Sequence, residues 1–125
     1  MGKSGQKILV VDDDPDIGIM LKMMLEFKGY AAIVADSEEK AEQILHTDSI
    51  RLIVMDMLLS GTNGTDLCSQ LKKRKETKHV PILMISAHPN AKEICIAAGA
   101  DDFILKPFDM QDILARVETL LERES

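Results

Sequence analysis

The chain has 125 residues, of which 46% are hydrophobic and 29% charged, the composition of one ordinary globular domain with a single core. Its net charge of −6 argues against nucleic acid as a direct partner, because phosphate contacts need clustered Lys and Arg. No apolar run approaches the roughly 20 residues that span a bilayer, and the polar start is not a secretory signal, so a cytoplasmic protein without membrane contact is expected.

Residues 1–6 read as a flexible N-terminal segment, 7–123 as one domain and 124–125 as its C-terminal end, either of a stand-alone domain or of a piece of a longer protein. The first strand runs from Lys7 to Val11 and is unbroken apolar from Ile8, the pattern of a central strand covered on both faces. Asp14-Pro15 then starts a helix, with Asp at the N-cap and Pro at the first helical position. Ile17, Met20, Leu21 and Met24 form its apolar stripe, the methionines reading as core packing, and Gly29 ends it. The second strand, Ala31 to Ala35, is less apolar and suits an edge. Asp36 and Glu39 have the spacing of a capping box for a helix that turns Ala41, Ile44 and Leu45 inward and ends near Thr47, where His46 complements the dipole.

The third strand is Leu52 to Asp56. A loop with two glycines, Gly61 and Gly64, follows it. The third helix is expected from about Thr65 to Lys75, burying Leu67 and Leu71, with the basic run Lys72-Lys73-Arg74-Lys75 on a solvated face near its end. The fourth strand runs from Val80 to Ile85, with Pro81 tolerated at its start. Asn90 and Glu93 make a second capping box for a short helix that Gly99 stops. The fifth strand is Asp102 to Leu105, and Asp109 caps a last helix lined by Ile113, Val117, Leu120 and Leu121. Five β-α units without repeat or linker predict a doubly wound α/β fold with a parallel sheet and the weaker strands, two and five, at its edges. Only four aromatics occur (Tyr30, Phe27, Phe103 and Phe108), so aliphatic residues and eight methionines must fill the core. Cys68 and Cys95 lack metal-like spacing and sit in helical patterns, where a small buried hydrophobe is the expected role.

In an open parallel sheet, ligands bind beyond the carboxyl ends of the strands. Here the first run leads into Asp12-Asp13-Asp14, the third into Asp56, the fourth into Ser86 and the fifth into Lys106. A helix cap accounts for Asp14. It does not account for Asp12 and Asp13 beside Asp56, since carboxylates this close repel and raise one another's pKa. A cation relieves them, and oxygen ligands with open positions favour Mg²⁺. Lys106 precedes Pro107, which fixes its backbone and leaves room for a cis bond. It is expected to pair with Asp56 at rest and with a phosphoryl oxygen when one is bound. Ser86 is open to two readings, a cap before the following helix or a hydrogen-bond donor to the same phosphoryl group. A carboxylate nucleophile, a metal and a lysine suit phosphoryl transfer to Asp56, giving an acyl phosphate. No base is needed, because a carboxylate is already ionised at neutral pH.

With Val10-Val11-Asp12-Asp13-Asp14, Val54-Met55-Asp56, Ser86-Ala87 and Lys106-Pro107-Phe108 in this order, the chain resembles the receiver domain of two-component response regulators from Lys7 to about Arg123. The resemblance implies a flavodoxin-like (βα)5 fold with strand order 2-1-3-4-5. It also implies that Asp56 is the phosphoacceptor, charged from a phosphohistidine of a sensor histidine kinase or a histidine phosphotransfer protein. Mg²⁺ would be held by Asp13, Asp12 through water, Asp56 and the backbone carbonyl of Leu58. Ser86 and Lys106 match the family's phosphoryl-sensing pair, and Phe103 its switch aromatic. On phosphorylation Ser86 would move toward the phosphoryl group and the Phe103 ring would follow. The face of the fourth helix, fifth strand and fifth helix is thereby remodelled for a downstream protein, an output domain or a homodimer. A receiver of this kind is a signalling domain that promotes only its own phosphorylation and dephosphorylation.

The chain departs from the family pattern in three places. Ser60 stands where proline is usual, which loosens the loop after Asp56. Twenty positions separate Ser86 from Lys106, a shorter span than is common, so the fourth helix is expected to be clipped at its start near Pro89. Leu58 and His88 occupy positions that tune phosphoryl lifetime in the family: Leu58 is expected to hinder an attacking water, His88 could help or hinder it, and the lifetime is left open. Three other classes compete with the receiver reading. A haloacid dehalogenase-type phosphatase needs a second Asp two residues after the nucleophile as acid and base, and Leu58 is there instead. A flavodoxin needs an uncharged phosphate loop after strand one, where this chain has three aspartates. A receiver that acts only as an unphosphorylated interaction module is disfavoured by the complete set of site residues.

Overall fold

The computed structural model describes residues 6–59 and 62–124. In chain order the elements are β1 (Lys7–Val11), α1 (Pro15–Phe27), β2 (Ala31–Ala35), α2 (Glu38–Thr47), β3 (Leu52–Asp56), β4 (Leu58–Leu59), β5 (Thr62–Asn63), α3 (Gly64–Lys73), β6 (Ile82–Ser86), α4 (Ala91–Ala97), β7 (Asp102–Leu105) and α5 (Met110–Glu124). Five strands form one parallel sheet in the order β2-β1-β3-β6-β7. Counted along the chain, those strands run 2-1-3-4-5, as the flavodoxin-like expectation has it. The two-residue strands β4 and β5 pair antiparallel outside this sheet, inside what the sequence presents as loop.

Alternation along the central strands divides the core in two, because successive side chains point to opposite faces. Leu9, Val11, Ile53, Met55, Ile82 and Met84 pack with Ala41, Leu67, Leu71 and Cys95 of α2, α3 and α4. Ile8, Val10, Leu52, Val54, Leu83 and Ile85 pack with Leu21 and Leu25 of α1 and Ile113, Val117 and Leu120 of α5. Helices therefore cover both faces, and the runs in β1, β3 and β6 are apolar throughout because neither face meets water. Cys68 and Cys95 are both free and buried, in the packing role expected of them.

The helix ends show where local chemistry overrules spacing. Asp14 caps α1 as expected, its Oδ1 accepting from the N–H groups of Asp16 (2.9 Å) and Ile17 (3.4 Å). The α2 cap is Ser37, whose Oγ accepts from Lys40 N–H, rather than Asp36, which instead ion-pairs with Lys40. Asn90 makes no side-chain cap bond to α4, because its ψ of 7° is not the extended conformation that capping needs. The expected Asn90–Glu93 capping box is therefore absent. With seven residues, α4 is the shortest of the five helices, in line with the short Ser86–Lys106 span. Asp109 does cap α5: its Oδ1 accepts from Asp112 N–H at 2.9 Å.

On α1 the burial differs in part from the expected stripe. Leu21, Leu25 and Gly18 are buried and Met24 packs against the core. Ile19, Met23 and Phe27 are 56%, 65% and 75% exposed and, with Met20, Met24 and Met110, line an apolar groove of about 450 Å³. The methionines of α1 thus serve partly as surface, against the reading of them as core packing. Among the described residues no helix is long and apolar enough to cross a membrane.

Candidate functional site

Parallel pairing brings the expected site residues to one edge. Val11 is level with Met55, Asp56 with Ile85, and Ser86 with Leu105, so Asp12, Asp56, Ser86 and Lys106 come at the carboxyl ends of four adjacent strands. The central strands are rigid because they are buried. That rigidity fixes the Cα positions from which these side chains start.

Asp56 is held by both oxygens. Its Oδ1 accepts from Leu58 N–H at 3.0 Å, and its Oδ2 pairs with Lys106 Nζ at 3.0 Å. The side chains of Asp56 and Lys106 are 12% and 27% exposed, so the pair is sheltered yet open to solvent on one side. The Lys106–Pro107 peptide is cis, the isomer for which the sequence leaves room. Lys106 N–H donates to the Ser86 carbonyl at 2.8 Å, which ties the lysine's backbone to the neighbouring strand end.

Asp12 is the most buried of the acidic group, at 1% exposure. Its Oδ1 accepts from Asp14 N–H at 2.9 Å, while its buried Oδ2 has no hydrogen-bond partner. Burial and, after it, the charge of Asp56 push the Asp12 carboxyl up to about 6, against the opposing pull of the Asp14 N–H and Lys106. Asp13 is half-buried beside it. No three His, Cys, Asp or Glu side chains among the described residues converge into a cage for a metal. An orphaned buried carboxylate oxygen beside further carboxylates still fits Mg²⁺, which keeps several waters and binds through one or two carboxylates plus phosphate oxygens.

Ser86 is buried at 3% exposure, and its Oγ accepts from His88 N–H at 3.0 Å. This bond serves the turn that follows β6 and does not cap α4, whose N-cap residue is Asn90; a hydroxyl that accepts one bond still has its own hydrogen to donate. Phe103 is buried with the α2–α3–α4 side of the core, and its carbonyl accepts from Arg116 of α5 at 2.9 Å. Leu58 is 68% exposed beside Asp56, and His88 is exposed as well. Ser60 lies outside the described residues. Two features escape the sequence reading: the contact of Gly64 with the backbone after Asp56, and the Arg116–Asp102 ion pair at 3.0 Å that joins α5 to β7. A glycine opening a helix just after the acidic strand end was the available signal for the first.

A doubly wound sheet whose central aspartate is paired to a strand-end lysine beside a buried acidic partner defines a flavodoxin-like domain of the signalling class. The chain belongs to the response regulator receiver domain family, whose model matches residues 8–118. It is 34% identical over 119 residues to the phosphate regulon transcriptional regulatory protein PhoB of Rhizobium meliloti, covering 94% of this chain and 52% of that protein. It is 38% identical over 120 residues to the alkaline phosphatase synthesis transcriptional regulatory protein PhoP of Bacillus subtilis, covering 94% and 49%. Among solved structures, the receiver domain of NtrX from Brucella abortus superposes with a TM-score of 0.86 at 33% identity, covering 92% of this chain and 98% of that one. The chain spans about half the length of the curated relatives it matches. It is a receiver domain of the two-component response regulator type, a signalling module.

Proposed function

We propose that Asp56 accepts a phosphoryl group from a phosphohistidine of a sensor histidine kinase or histidine phosphotransfer protein, and that the new charge switches a protein-binding face. The observation that carries this reading is the 3.0 Å Lys106–Asp56 pair beside Asp12 and its orphaned oxygen. An Asp56 carboxylate oxygen attacks phosphorus, the P–N bond to the donor histidine breaks, and the imidazole leaves, giving an acyl phosphate on Asp56. Lys106 transfers its ammonium from Asp56 Oδ2 to an oxygen of the incoming phosphoryl group. Asp12, Asp13, Asp56 and the Leu58 backbone carbonyl would hold Mg²⁺, which when bound supplies charge neutralisation of the transferred oxygens.

The switch follows from what the chain's residues then exchange. Ser86 Oγ gives up the His88 N–H and donates to a phosphoryl oxygen, and Phe103 moves with it. The α4–β7–α5 face, where Ile94 and Leu105 are 53% and 43% exposed, changes its contacts with a downstream protein, an output domain or a second copy. Leu58, exposed beside Asp56, stands where an apolar side chain hinders water that would attack the acyl phosphate. PhoB and PhoP are transcriptional regulatory proteins by name; for this domain, with its net charge of −6, the output is a protein contact and not direct binding of nucleic acid.

Incubation with Mg²⁺ and acetyl phosphate, followed by intact-mass measurement, tests the reading. One added phosphoryl group is expected on the wild-type chain and none on Asp56→Asn or in chelator. Labelling that persists in Asp56→Asn would place the acceptor elsewhere and defeat the proposal.

A further inference from the structure

Gly64 opens α3, and glycine is the poorest helix former after proline, so its presence there calls for a physical reason. The reason lies beside Asp56. A Cβ added to Gly64 would overlap the Asp56 carbonyl oxygen, and would stand 2.8 Å from the Met57 carbonyl oxygen and 3.0 Å from Met57 Cα. All three are backbone atoms, which cannot rotate aside as a side chain can. An added Cβ at Gly18 or Gly99 would instead meet the side chains of Val34 and Lys72. Gly64 N–H also donates to the Met57 carbonyl at 2.6 Å. The start of α3 is thus both packed against and hydrogen-bonded to the peptide that leads out of β3. Asn63 secures it from the other side, its Oδ1 accepting from Thr65 N–H (2.9 Å) and Thr65 Oγ1 (2.7 Å), while Asn63 itself pairs with Leu58 across β4 and β5.

That peptide link serves the site. Leu58 N–H holds Asp56 Oδ1 at 3.0 Å, and the Leu58 carbonyl is among the groups assigned above to Mg²⁺. We propose that Gly64 is a positioning residue: the absence of a side chain lets α3 set the backbone at Met57 and Leu58, and so the aim of Asp56 and of the Leu58 carbonyl toward the metal. The inference rests on the Mg²⁺ reading of this site.

The test is a Mg²⁺ titration of wild type, Gly64→Ala and Gly99→Ala, followed through the backbone amide signals of Met57 and Leu58, with thermal unfolding in chelator alongside. Gly99 has a φ of +106° and precedes β7, at the edge of the sheet opposite Asp56, so its alanine variant controls for simple loss of stability. Gly64→Ala is expected to bind Mg²⁺ about tenfold more weakly or worse, the range seen when a group supporting a ligand is disturbed, with the two amides already shifted before metal is added. Gly99→Ala is expected to melt earlier and bind as wild type does. Equal binding by Gly64→Ala, or an equal loss in Gly99→Ala, overturns the positioning role and leaves the site reading standing. A wild-type chain with no saturable response to Mg²⁺ overturns both. Should Gly64→Ala not fold, Asn63→Ala, which releases the cap without adding an atom, carries the test: weaker Mg²⁺ binding supports the role and unchanged binding overturns it.

Discussion

Asp12 combines near-complete burial with an unpartnered oxygen, and its carboxyl is raised from 3.8 to about 6. The folded metal-free protein therefore holds this proton more tightly than the unfolded chain does. By linkage, the stability this group contributes is complete below the unfolded pKa and is lost as pH rises through about 6. In chelator, Asp12→Asn should be more stable than wild type at neutral pH by about 1–3 kcal/mol, the usual cost of a buried group without a partner. The advantage should shrink as pH falls from about 6 toward about 4; thermal unfolding across that range measures it. Mg²⁺ should raise the melting temperature of wild type and have little effect on the variant. The acidic residues, Ser86 and Lys106 were legible because each follows an unbroken apolar run, which marks a strand end. Gly64 left only the weak signal of a glycine opening a helix after the acidic strand end, since the close backbone approach itself leaves no trace in composition or periodicity.

The helix caps give a paired prediction at the level of elements. Ser37 makes its cap bond to Lys40 N–H and Asn90 makes none. Ser37→Ala should therefore cost about 1 kcal/mol, whereas Asn90→Ala should stay within about 0.5 kcal/mol of wild type; urea unfolding of both decides. Sequence spacing pointed to Asp36 and to Asn90 because each stands three residues before a Glu. The actual choice depended on the backbone angles at adjacent residues, which spacing does not encode. Lys72 is a second case. Its ammonium meets Asp101 at 2.7 Å and the Val80 carbonyl at 2.8 Å, and Asp101 in turn accepts from Ile82 N–H at 2.8 Å. The sequence placed this lysine in a solvated basic run, yet it joins α3 to the starts of β6 and β7. Lys72→Met should lower stability by about 1–3 kcal/mol, the cost of leaving the buried side of such a network unpaired, while leaving phosphoryl labelling of Asp56 intact.

Strand order and the division of helices between two faces were legible at the scale of the molecule, because continuous apolar runs alternating with amphipathic stretches admit few arrangements. What covers each helix's outer surface was not: periodicity marks one apolar face, while α1 carries a second, with Phe27 75% exposed. Assembly belongs to this scale. If the α4–β7–α5 face pairs two copies, sedimentation should show a concentration-dependent dimer with a phosphoryl mimic bound and a monomer without it; monomers in both samples would sink the pairing.

Phe103 sits across the boundary between the two halves of the core. Its ring lies in the layer beneath α2, α3 and α4, whereas its carbonyl is gripped by Arg116 of α5, from the layer behind the sheet. One residue thus has a handle on each side of a wall that otherwise keeps the layers apart. Under the switch proposed above, a listener resting on α5 alone would sense an event that begins beside α4, without touching the helix where it started.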